Sequence, residues 1–132
     1  MDIEQVSFGA AAGALAAPAV GVVIDVGPHP SGEAGRVVVR GACRVPRAEA
    51  PAPRIDLPRG IFLTLVEAAE QRPFTAPLVG DRLVFEDDVE IVGDDYVIDF
   101  RGVLSTVRAV TGAYFLHASF FGHVSNVVWV AP

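Results

Sequence analysis

The sequence predicts an all-β protein, one antiparallel sandwich of about seven or eight strands. Three observations carry this. Turn-forming clusters punctuate the chain at GPHPSGEAG (27–35), PRAEAPAPR (46–54), QRPFTAP (71–77) and GDD (93–95). The runs between them are short and rich in Val, Ile, Phe and Tyr. Most alternate at period two, the pattern of a strand with one face in a core. Only TLVEAAEQR (64–72) has a helix-forming composition, and it is short.

Taken in order, residues 20–26 (VGVVIDV) form the first strand of the sandwich. Residues 36–45 form the second, with Val37, Val39, Gly41, Cys43 and Val45 on one face and Arg36, Arg40 and Arg44 on the other. Strands follow at 60–67, 82–86 and 88–92. Residues 95–104 place Tyr96, Ile98 and Phe100 on one face, opposite Asp99 and Arg101. Residues 113–121 and 124–130 close the chain as a hairpin around Gly122 and His123. The sandwich is expected over 20–132, preceded by an extended Ala/Gly-rich segment, 1–19, that packs on it or extends from it.

The composition narrows what this sandwich does. A chain of 132 residues is long enough for one core and leaves little for a second domain. It is 52% hydrophobic and 20% charged, which excludes disorder for most of its length. Its mean hydropathy of +0.44 is high for a lone small domain, which suggests that a partner covers some apolar side chains. Ten basic residues against sixteen acidic ones leave a net charge of −6, the wrong sign for nucleic acid. All ten are Arg, so lysine Schiff-base and P-loop chemistry are both excluded. A single Cys excludes an intrachain disulfide and any multi-cysteine zinc site.

Residues 1–27 are superficially like a leader, but no Arg precedes Arg36, and Asp2 and Glu4 are acidic. Gly13, Pro18, Gly21 and Asp25 interrupt the apolar run, so no membrane span is expected and a cytoplasmic location is the default.

The segment Thr111-Gly112-Ala113-Tyr114-Phe115-Leu116 resembles the entry to strand F of immunoglobulin-like sandwiches, of the bacterial kind without a disulfide. The resemblance implies that Tyr114 is the corner tyrosine, with its ring filling the end of the core and its hydroxyl capping backbone at the preceding turn. It implies that Leu116 takes the buried position a cysteine holds in antibody domains. Val37 and Val39 would face it from strand B, and Phe62, Leu63 or Leu65 would stand in on strand C. It also implies pairing through a sheet face, as such domains often do.

If Tyr114 points inward, so do Leu116, Ala118 and Phe120, and the outward set is Phe115, His117, Ser119, Phe121 and, by register, His123. Asn126, Val128 and Val130 then face in, with Val127 and Trp129 out. Both faces of the closing hairpin are apolar, whichever parity holds. The expected role is therefore a non-catalytic interaction or assembly module, a homo-oligomer or a binder of a protein partner. Phe115, His117, Phe121, Val127 and Trp129 form its surface. One alternative is that 1–19 folds back over that face. Another is a small-ligand or carbohydrate platform built on Trp129, Phe121 and His117.

Catalytic and metal chemistry have weaker support. His117 and His123 are six apart and His29 sits in a turn. Extended chain puts the first two about 20 Å apart, too far for one ion without a bend. Asp87, Asp88, Asp94 and Asp95, with Glu86 and Glu90, lack EF-hand spacing and read as a solvated edge strand. No G-x-S-x-G elbow or dinucleotide-binding glycine loop is present. Cys43 falls on an apolar strand face, where burial keeps a thiol inert. No cofactor is expected, and an enzyme is the less favoured class. Arg36, Arg40 and Arg44 are expected to pair with Asp99, Glu86 or Glu90 across neighbouring strands.

Overall fold

The computed structural model describes residues 1–9, 15–106 and 112–131. Among these, ten strands form two antiparallel sheets facing each other across one apolar core. They are β1 (Asp2–Phe8), β2 (Gly21–Pro28), β3 (Arg36–Pro46), β4 (Ile61–Glu67), β5 (Pro73–Pro77), β6 (Glu90–Val92), β7 (Asp95–Ser105), β8 (Tyr114–Phe120), β9 (His123–Val124) and β10 (Val128–Val130).

In the first sheet the order is β1-β7-β3-β2, with β6 also on β7. Because β3 pairs with β7 along its whole length, β1 and β6 share the opposite edge of β7. The second sheet runs β10-β8-β4-β5 and has the same plan: β4 lines one edge of β8, and β9 and β10 divide the other.

The core follows from the period-two pattern. Ile61, Leu63 and Leu65 on β4 and Leu116, Ala118 and Phe120 on β8 meet Val39, Cys43, Ile98, Phe100 and Leu104 of the first sheet. All of them are at most 1% exposed. Cys43 lies in this layer, and its burial pushes the thiol far above the ordinary range, so it offers no nucleophile at neutral pH. Gly41 interrupts the layer because the Phe100 ring lies across it: a Cβ there would fall 2.1 Å from Cζ of Phe100.

Several expectations need correction. The sandwich begins with a strand, not with an extended segment outside it: Asp2–Phe8 pairs with β7, and Met1, Ile3, Val6 and Phe8 pack against the core. A bulge between Glu4 and Ser7, with Gln5 at φ +50°, breaks its alternation and hides it in the sequence. The expected strand at 82–86 is absent, since this stretch finds no ladder partner. Arg82 instead closes a turn on Val79, Asp88 caps the amide of Phe85, and Leu83 is 82% exposed. The cluster at 71–77, expected as a turn, holds β5. Its prolines suit an edge strand, where one side of the backbone needs no ladder partner. The last strand is divided by Ser125–Val127 into β9 and β10. The helix-forming stretch 64–72 becomes the end of β4 and a tight turn closed by Gln71 N–H donating to the Glu67 carbonyl.

The arginine row also chooses other partners. Arg36 pairs with Glu4 at 2.8 Å and Glu33 at 3.4 Å, and Arg44 with Asp95 at 2.7 Å. The Arg36–Glu4 bridge crosses β7 on the outer face of the first sheet, where Val38 and Val103 are 3% and 0% exposed. Asp99 on β7 has no ion pair among the described residues. Burial, then the charge of Glu90, holds its carboxyl above the usual carboxylate range. A folded-state pKa raised in this way favours folding at low pH, and that contribution fades as pH rises through the raised value. Asp99→Asn is therefore expected to be more stable than wild type at pH 7, by a few tenths of a kcal/mol at this half-exposed site. The advantage should vanish below the ordinary carboxylate range. Urea unfolding of both proteins at about pH 7 and about pH 3.5 checks this; an equal advantage at both pH values would refute it.

Candidate functional site: the outer face of the second sheet

The inward set on β8 is Tyr114, Leu116, Ala118 and Phe120, and the outward set begins with Phe115, His117 and Ser119. The strand register extends these outward residues into three rows. Trp129, Phe115, Val66 and Pro73 form the first, running from β10 across to β5. His117, Thr64 and Thr75 form the second, with the two threonine hydroxyls 3.0 Å apart. Val124, Ser119, Phe62 and Pro77 form the third. No Asp, Glu or Arg occupies any of these positions. The rings of Phe115 and Trp129 meet edge to face at 4.8 Å, leaving them 40% and 54% exposed. The strand of the N-terminal segment, residues 2–8, lies in the other sheet and does not cover this face.

Of the residues singled out in the sequence, Phe115, His117 and Trp129 share this face, and Val127 stands beside it, 60% exposed. Phe121 is at its far end, past the last residue of β8. It forms a two-residue turn with Gly122, both at positive φ (+44° and +85°), between the paired residues Phe120 and His123. That geometry is a type I′ hairpin, which favours Asn or Gly and costs a phenylalanine roughly 1–2 kcal/mol. The ring is held by packing over Gly60, where a Cβ would lie 2.2 Å from it, and edge-on against Phe120 at 5.1 Å. Phe121 and Phe62 thus flank a groove of about 390 Å³ with Ser119, Asp56 and Arg59 on its rim. Of the three residues offered for the core of strand C, Leu63 and Leu65 are buried but Phe62 faces out, and nothing in the sequence marks Gly60 or Asp56 as surface residues beside it. The inward parity of Ile61, Leu63 and Leu65 is the signal that places Phe62 outside.

The same turn separates the two histidines. His117 stays on the outer face, whereas His123 on β9 lies against Gly21 of β2. Of the acids, Asp88 caps Phe85, Asp95 holds Arg44, and Asp87 and Asp94 are exposed. They do not gather around either imidazole. Among the described residues, no group of three or more His, Cys, Asp or Glu is placed to hold a metal ion.

Tyr114 is 5% exposed, and burial pushes its phenol up to about 12. It shares a cavity of about 580 Å³ at the end of the sandwich with Trp129, Val26, Val37 and Arg36. Thr111, the first residue of the segment resembling strand F, lies outside the described residues.

Asn126 lies between β9 and β10, three residues before Trp129 at the edge of the face. It was expected to face the core, but its side chain bonds to the edge of β2: Ile24 N–H donates to Oδ1 at 2.9 Å and Nδ2 donates to the Ile24 carbonyl at 3.0 Å. Ser125 supports the same bend, its hydroxyl accepting from Ala118 N–H at 2.7 Å. No described helix is long and apolar enough to cross a membrane. These features define a β-sandwich with one charged and one uncharged outer face. No family model, curated protein or solved structure matches the chain.

Proposed function

We propose that this chain is an immunoglobulin-like assembly module without catalytic activity, pairing with a second copy through the outer face of the second sheet. The orders β2-β3-β7-β6 and β10-β8-β4-β5 are those of A-B-E-D and G-F-C-C′ in immunoglobulin sandwiches, and β1 is an addition to that plan. Tyr114 opens the strand equivalent to F.

The observation that carries the function is the absence of charged side chains from three rows of one sheet, in a chain where 20% of residues are charged. A second copy suits this face. It offers no charge to a charged partner, and its central row of Thr64, Thr75 and His117 both donates and accepts hydrogen bonds, so it complements itself. The face measures roughly 400 Å² in projection, four strand positions at about 4.8 Å by six residues at about 3.4 Å. That is about half of what each side of a standard stable interface contributes, which places the pairing in the weak range.

Sedimentation equilibrium between about 5 and 500 μM tests this. Wild type is expected to move from monomer to dimer, and Trp129→Ser to raise the dissociation constant about tenfold, the cost of losing an aromatic anchor. A wild-type chain that is monomeric throughout would refute self-association.

A further inference from the structure

We infer that the groove between Phe62 and Phe121 is the seat for Trp129 of a second copy, each copy giving one indole and receiving the other. This rests on the self-association proposed above and names its central contact. The first observation is a residue that breaks a local rule: Phe121 occupies a turn position that favours Asn or Gly, and its ring stays 39% exposed. Local packing over Gly60 explains where the ring lies but not why an aromatic residue stands there. As the wall of a groove open toward the uncharged face, it has a use.

The second observation is chemical fit. The groove of about 390 Å³ presents two phenyl walls and an acceptor, Asp56, which has no ion pair or side-chain hydrogen bond among the described residues. Arg59 is already occupied, donating to the carbonyls of Gly80 and Arg82. An indole matches this set, with an apolar ring and a single N–H donor. Trp129 is the most exposed aromatic ring on the face and the only Trp in the chain.

A two-fold pair can make both contacts at once. An isologous face-to-face pair has its two-fold axis passing through the interface. Trp129 lies in the first row of the face and the groove adjoins the third, so the midpoint between them falls near His117 in the middle row. One axis through that point carries each indole onto the other copy's groove.

Complementation tests the contact. Phe121→Asn retains Trp129 but loses a groove wall, while Trp129→Ser retains the groove and has no indole. Each variant alone is expected to dimerise about tenfold more weakly than wild type or worse. Mixed, they restore one of the two contacts, so the mixed dimer should be tighter than either variant's own. Adding Trp129→Ser, which has no Trp emission, should shift the single Trp of Phe121→Asn to the blue. Asp56→Ala, on an exposed turn, should weaken wild-type dimers about threefold and guards against misfolding of the turn variant. If wild type dimerises but the mixture shows no blue shift and Asp56→Ala has no effect, the groove assignment is overturned while the face survives. A monomeric wild type overturns both. So would a monomer whose groove instead binds added free indole.

Discussion

Gly41→Ala is expected to lower the free energy of unfolding by about 3 kcal/mol, a large effect for one added methyl group. Gly41 and Phe100 are directly paired across β3 and β7, and the Phe100 ring covers the glycine, with Cζ and Cε1 2.1 and 2.4 Å from where a Cβ would stand. The ring is 0% exposed and sits between the two sheets, so it cannot swing into solvent. It must leave its rotamer or force the strands apart. Phe100→Ala is expected to cost about 3–5 kcal/mol through the cavity it leaves. The informative protein is the double variant: with the ring gone, the methyl group added at position 41 occupies vacated space. The two costs should then fall short of additivity by about 1 kcal/mol or more, as for residues in contact. Urea unfolding of the four proteins closes this cycle. Additive costs would mean that the ring does not rest on Gly41.

This pair also shows why parts of the chain could be read in advance. The alternation at 36–45, 60–67, 95–104 and 113–121 maps onto β3, β4, β7 and β8, the two central strands of each sheet. Central strands are paired on both sides and turn one face into the core along their length, so inward apolar positions recur at period two, even though Val38, Ala42 and Val103 on the outer face of β3 and β7 are buried as well. The edges were poorly legible for the same physical reason. β1 bulges and β5 is proline-bounded, so each lost its signal to the local chemistry of an edge. Leu83, Val84 and Phe85 had the composition of a strand, but strand formation needs a partner edge, and composition cannot report one. Parity puts Phe115, His117 and Trp129 on one outward face, and the strand register brings them together there. The fit of Phe121 over Gly60, and the approach of Asp56, depend on a 3₁₀ turn meeting a hairpin far along the chain, a contact with no periodic signature.

Asn126→Ala is expected to destabilise the sandwich by about 2–3 kcal/mol and to weaken dimerisation. β2 is an edge strand, hydrogen-bonded to β3 on one side only. On its other side, Ile24 has its amide and its carbonyl bonded to the Asn126 carboxamide at 2.9 and 3.0 Å, an imitation of a ladder rung that ties the first sheet to the second. Ile24 is 3% exposed, so removing the amide strands two backbone groups where water reaches them poorly. Asn126→Asp separates the two bonds. Its carboxylate still accepts from the Ile24 amide but presents oxygen to the Ile24 carbonyl, so the substitution should cost at least as much as Ala at neutral pH. That excess should shrink in acid, where the protonated carboxyl can donate. Asn126 also lies three residues before Trp129. Releasing it frees β10 to shift against β8, which should raise the dimer dissociation constant without removing any residue of the face. Amide exchange at Ile24, urea unfolding and sedimentation are the three measurements. Faster exchange with unchanged dimerisation would mean that the clamp serves the fold alone, and unchanged exchange would remove the clamp itself.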